Sequence, residues 1–156
     1  IGALARQIQP HVSSAAEGSH LLFSYHGIPA SYVAEGDPYQ RHTEATTRLV
    51  VSRLGLNDTQ WSHCYQSRFG RVTWLQPYTI DKIKELAERG VRELTVASPS
   101  FAVDCLETLE EVAMEYRDRF LEWGGKRLTL VPGLNDNDDH AEALATIIKD
   151  RLKGWA

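Results

Sequence analysis

Cysteine is scarce in this chain: two among 156 residues, Cys64 and Cys105, far apart and outside any CxxC pattern. Neither a disulfide framework nor a four-thiolate iron–sulfur cluster can be built from this chain alone, and two reduced thiols fit a cytosolic protein. Long apolar runs are missing too, and none approaches the roughly 20 residues that span a bilayer. The opening Ile1-Gly2-Ala3-Leu4-Ala5-Arg6 lacks the basic-then-apolar order of a signal peptide and lacks an initiating Met, as expected of an internal fragment or a processed chain. No basic block accompanies the formal net charge of −4, which argues against a phosphate-tracking surface and against nucleic-acid partners. A GxGxxG between the first strand and its helix is also absent, which removes the usual dinucleotide signature.

What is present is ordinary globular material. Apolar residues make up 42% and charged residues 24% of the chain, enough for a packed core, and the length suits a single domain over residues 1–156. Apolar spacing predicts helices over 1–12, 38–54, 79–89, 104–123 and 138–153. Asp37, Thr79 and Asp138 are expected N-caps, and Gly55, Gly90 and Gly124 expected stops. Strands are predicted over 20–25, 60–66, 93–97 and 128–131. Strands separated by helices of this length imply right-handed crossovers, hence an α/β Rossmann-like three-layer sandwich: a four-stranded parallel sheet with helices on both faces. Ligands in such sheets sit at the carboxyl ends of strands. The loops to inspect are therefore 25–37, 66–78 and 98–104.

Three segments could carry chemistry. His26 closes the first strand in Ser24-Tyr25-His26-Gly27-Ile28-Pro29, where an imidazole can act as a base, bind a borderline metal, or simply hydrogen-bond its own loop. Asp104, Glu107, Glu111, Glu115 and Asp118 recur at steps of three and four, which on an α-helix stacks five carboxylates along one face. That row reads either as a cation or proton path or as a solvated acidic face, with Leu106, Leu109, Val112, Ala113 and Tyr116 as the face to bury. Tyr65 to Pro77 combines Arg68 and Arg71 with Phe69 and Trp74. It suits a flat aromatic dianion, rings stacking and guanidinium groups pairing with carboxylates, and suits equally a long ordered loop on the sheet edge.

Taken together, these segments resemble the ferrochelatases. Ser24 to Pro29 is similar to the family's S-x-H-G/S-x-P, and Gly36-Asp37-Pro38-Tyr39 to its G-D-P-Y turn. Gln66-Ser67-Arg68-Phe69-Gly70 with Trp74-Leu75 and Pro77 resembles Q-S-[RK]-x-G-x-x-x-W-L-x-P, and Pro99 to Glu111 resembles P-x-F-x-x-D-x-x-E-T-L-x-E. The resemblance implies a chelatase-type fold and the insertion of ferrous iron into protoporphyrin IX, the last step of haem biosynthesis, by a lyase of the cytoplasm. It implies His26 and Glu107 as the catalytic pair with Asp104 in support, and Tyr39, Arg68, Trp74, Phe101 and Ser24 as substrate-binding residues. It implies His26, Glu107, Glu111 and Glu115 as metal-handling residues. Fe²⁺ is then substrate, with no permanently bound cofactor and no iron–sulfur cluster expected. Only the second half of a ferrochelatase is matched, so the missing N-terminal half-domain is an expected partner, with peripheral membrane contact through the full-length protein. Two other readings stand beside this one: a short single-domain cobalt or nickel chelatase acting as a homodimer, and a porphyrin-binding module without turnover.

Overall fold

The structure, a computed structural model, describes residues 1–13 and 18–155. Its centre is β1 (His20–His26), an apolar strand buried along its length up to His26 at the rim. β1 pairs in parallel with β2 (Trp61–Gln66) on one side and β3 (Glu93–Ala97) on the other, and β4 (Arg127–Leu130) completes the order β2-β1-β3-β4. The α/β fold class and the all-parallel four-stranded sheet are those expected. Because the chain leaves β1 toward β2 and returns to β3 on its other flank, the order reverses at β1, and a crevice opens outside the carboxyl ends of β1 and β3.

Alternation along β1 feeds two cores. Leu21, Phe23 and Tyr25 face α1 (Gly2–Ser13) and α3 (Tyr39–Leu54), with Ile8, Val50 and Val51 against them. Leu22 faces the other layer with Ile83 and Leu86 of α4 (Thr79–Glu88), Val112, and Phe120 of α5 (Arg117–Glu122). Each such side chain contributes about 1.5–3 kcal/mol relative to exposure. Gly125 is required by packing: a Cβ there would stand 2.3 Å from the Phe120 ring. α6 (Asp138–Leu152) lies outside both cores. Its Leu144, Ile147, Ile148 and Leu152, with Trp155 beyond, are all exposed. Among the described residues no helix is long and apolar enough to cross a membrane.

Several expectations need correction. The 25–37 loop contains a short helix, α2 (Ala30–Ala34). Asp37 does serve the start of α3, accepting the Tyr39 N–H at 2.8 Å. Thr79 is not a cap; its buried hydroxyl lies 2.7 Å from Ser24 Oγ and 3.2 Å from Cys64 Sγ. The last helix is capped by Asn137, which accepts the His140 N–H at 2.8 Å, so Asp138 is its first residue.

The largest correction concerns 104–123. Its first part is a π-helix, Glu107–Tyr116, continued by α5. In an α-helix a step of four overshoots the turn and drifts around the axis. The wider i→i+5 turn keeps steps of four nearly in line. The buried row is accordingly Thr108, Val112, Tyr116 and Phe120. Leu106 and Leu109, expected inside, are 74% and 53% exposed.

Candidate active site

β1 delivers His26 to the mouth of the crevice and three contacts hold it there. Its backbone N–H donates to Ser100 Oγ at 2.8 Å, its carbonyl accepts the Tyr39 hydroxyl at 2.7 Å, and its Nδ1 lies 2.6 Å from Gly27 O. A carbonyl only accepts, so Nδ1 carries the proton and Nε2 is the free basic nitrogen. The own-loop hydrogen bond foreseen for this histidine therefore exists, and it fixes the tautomer that leaves the other nitrogen available. The imidazole sits between two rings, its centroid 6.2 Å from Trp74 and 6.0 Å from Phe101. Gly27 lets Trp74 approach, since a Cβ there would lie 3.2 Å from both Gln66 O and Trp74 Cε3.

Opposite stands the π-helix. An open cleft of about 410 Å³ is lined by His26, Ser67, Arg68, Trp74, Glu107 and Glu111, with Glu110 and Glu115 also on it. The Glu107 carboxyl is held below its ordinary range, first by the Cys105 thiol, then by its own backbone N–H, with a smaller attraction from His26. Its carboxylate thus stands on the same cleft as the imidazole, charged and accessible.

The remaining expected residues divide. Trp74, Arg68 and Phe101 surround His26 or the cleft, Arg68 lying 4.4 Å over the Tyr78 ring. Tyr39 acts behind the histidine, its hydroxyl pushed to higher pKa by burial and spent on the His26 carbonyl. Ser24 is fully buried and donates to Gln66 Oε1 at 2.6 Å, so it supports the cleft from beneath without lining it. Asp104 lies outside the helix and off the cleft. Its carboxylate accepts the Thr108 hydroxyl at 3.1 Å, the Gly133 N–H at 3.1 Å and Asn135 Nδ2 at 2.8 Å, tying the start of the π-helix to the loop after β4. Asp118 is exposed beside Arg117 at 2.9 Å. The single five-carboxylate face is thus broken at both ends, and Glu107, Glu111 and Glu115 remain. The four expected metal-handling residues do not converge as a ligand set; among the described residues no three His, Cys, Asp or Glu could hold a metal ion.

The residue that sequence reasoning missed is Gln66. It is 3% exposed; its Oε1 accepts from Ser24 and, at 3.3 Å, from Ser98, while its Nε2 donates to Glu107 O at 2.9 Å and Glu111 Oε2 at 3.2 Å. One amide joins β1, β2, the loop leaving β3 and the π-helix. A lone glutamine closing a strand otherwise buried at Cys64 and Tyr65 was the available signal.

These features define an α/β protein with a histidine–carboxylate cleft at the switch point of a parallel sheet. A solved structure of a protein named as CbiX of cobalamin (vitamin B12) biosynthesis, from Marinobacter aquaeolei VT8, shares the fold with a TM-score of 0.55 over 86% of this chain and 98% of its own, at 15% identity. The ferrochelatase family profile matches residues 1–152. The chain is 44% identical to ferrochelatase of Marinomonas sp. (strain MWYL1) over 99% of its own length and 47% of that protein, and 44% identical to ferrochelatase of Brucella anthropi over 99% and 45%. The chain belongs to the ferrochelatase family. It spans about half the length of the curated relatives it matches.

Proposed function

We propose that this chain supplies the histidine–glutamate wall of an active site that inserts Fe²⁺ into protoporphyrin IX to give protohaem, the second wall coming from an N-terminal half-domain. The observation that carries the reading is the placement of His26, with Nε2 free between the Trp74 and Phe101 rings, on the same open cleft as Glu107. A porphyrin must lose two pyrrole N–H protons as the metal enters, so the balanced reaction is porphyrin plus Fe²⁺ to metalloporphyrin plus two H⁺. His26 Nε2 takes a proton as base, and Glu107 offers a charged acceptor on the same cleft. Trp74 and Phe101 provide faces against which a flat ring packs, and Arg68 a guanidinium for a propionate. Bending the ring out of plane needs contact from both sides. The wide opening of the cleft and the uncovered apolar face of α6 both support a second half-domain.

The test is a visible-absorption titration with protoporphyrin, then anaerobic Fe²⁺ or Zn²⁺, for the chain alone and mixed with the complementary half of a relative. Expected are a porphyrin shift with the chain alone and a metalloporphyrin spectrum with both halves, abolished by His26→Ala. A shift that never leads to metallation makes the chain a porphyrin-binding module. Metallation undiminished by His26→Ala, or no shift under either condition, overturns the assignment.

A further inference from the structure

Within the acidic row Glu111 differs in kind from Glu107. A carboxylate offers about four lone-pair sites, and all four are occupied here. Oε1 accepts the Ser67 N–H at 3.0 Å and the Tyr116 hydroxyl; Oε2 accepts the Ser67 hydroxyl at 2.6 Å and Gln66 Nε2 at 3.2 Å. The Tyr116 hydroxyl keeps its proton, its pKa raised by burial and then by the Glu111 charge. Glu111 therefore has no lone pair to offer a cation without giving up a donor.

The partner is equally particular. Ser67 has φ 62, in the left-handed region that residues other than glycine seldom occupy. Its backbone and side chain both donate to Glu111, which repays that conformation. Ser67 is also where the chain leaves β2 and turns over the cleft, carrying Arg68 and Phe69. The same loop is closed further on by Trp74 Nε1, which donates to Phe69 O at 2.8 Å.

We infer that Glu111 is a positioning residue, not a ligand of the incoming metal: with Ser67 it forms a clasp that locks the 67–74 loop to the π-helix and so sets the ring-binding side of the cleft. The inference rests on reading that cleft as a porphyrin site, and its test has an arm independent of porphyrin.

Amide exchange is measured by mass spectrometry on this chain and on E111Q, E111A, S67A and S67G. The clasp predicts that exchange across 67–74 rises by about tenfold or more in E111A and less in S67A, with α4 unchanged. Protoporphyrin affinity, read by fluorescence quenching, should fall about tenfold in E111A and in S67A, and the double variant should be no worse than either alone. A general loss of stability would instead add across the two sites and loosen distant helices. E111Q, which keeps the shape and loses the charge, serves if E111A does not fold. Unchanged exchange across 67–74 in E111Q and E111A overturns the clasp. So does a Zn²⁺ affinity that falls in E111Q and not in S67A, which would make Glu111 a ligand. If the wild-type chain binds no porphyrin, the proposed function fails, while the exchange measurement still decides the clasp.

Discussion

Replacing Gln66 by leucine would remove one amide and keep most of its volume, so the loss should come from the partners left behind. Ser24 keeps Thr79 at 2.7 Å and Glu111 keeps Ser67 and Tyr116, so both remain satisfied. The Glu107 carbonyl and the Ser98 hydroxyl lose the amide outright. A buried polar group stripped of its partner costs about 1–3 kcal/mol; these two are half-buried and partly re-solvated, so the expected destabilisation is about 1–3 kcal/mol in total. With a urea slope of about 2 kcal/mol per M, the unfolding midpoint should drop by about 0.5–1.5 M at unchanged slope. Gln66→Glu provides the sign control. It sets a second carboxylate within reach of Glu111, and burial beside that like charge raises its folded pKa, so at pH 7 it should cost more than leucine and recover part of the loss as the pH falls toward about 4.5. A loss under about 1 kcal/mol for Gln66→Leu, or a glutamate variant no worse than leucine, would refute the account of Gln66 as the joint between sheet and cleft.

Two further outcomes follow from the same geometry. Gly27→Ala puts a Cβ 3.2 Å from both Gln66 O and Trp74 Cε3. Trp74 is held by its hydrogen bond to Phe69 O, so overpacking should cost about 1–3 kcal/mol and displace the indole, visible as a lowered melting temperature with changed tryptophan fluorescence; an unchanged melt would contradict it. His20 and His63 are each pulled down to about 4, chiefly by burial. Both folded values lie below the unfolded value of about 6.5, so the neutral imidazoles contribute stability that is complete above about pH 6.5 and lost as the pH falls toward 4. His20 alone should account for about 2–3 kcal/mol of that fall, and His20→Gln should flatten urea midpoints between pH 6.5 and 4; an equally steep limb in the variant would remove His20 as its cause.

The sheet was legible because parallel strands buried on both faces read as apolar runs between helices, and Leu21, Leu22 and Phe23 made β1 plain. His26 was legible from position alone, at the end of such a run before Gly27 and Pro29. The helix caps were less so, because an N-cap is set by which side chain turns back on the backbone. Thr79 instead spends its hydroxyl on Ser24 and Cys64, and Asn137 takes the place expected of Asp138. Gln66 and Ser67 escaped because their partners lie more than forty positions away on the π-helix. No local pattern marks a serine for a left-handed turn.

The acidic row shows how the assumed period decides the chemistry. Counted at 3.6 residues per turn, Asp104, Glu107, Glu111, Glu115 and Asp118 share a face and Leu106 and Leu109 belong inside. Yet the sequence holds two interleaved rows of strict four-steps, Glu107-Glu111-Glu115 and Thr108-Val112-Tyr116-Phe120. An α-helix would wind both rows around its axis, exposing Phe120 or burying a glutamate. Only a wider turn lets one row stay in the core while the other stays at the cleft. The carboxylates also differ in what they touch: Asp104, before the helix begins, ties it to the loop after β4; Glu107 faces the cleft beside His26; and Glu111, one turn on, meets Ser67. Two of the acids that the π-helix carries are thus placed by its pitch, Glu107 on the cleft and Glu111 at Ser67, while Asp104 anchors the helix from outside it.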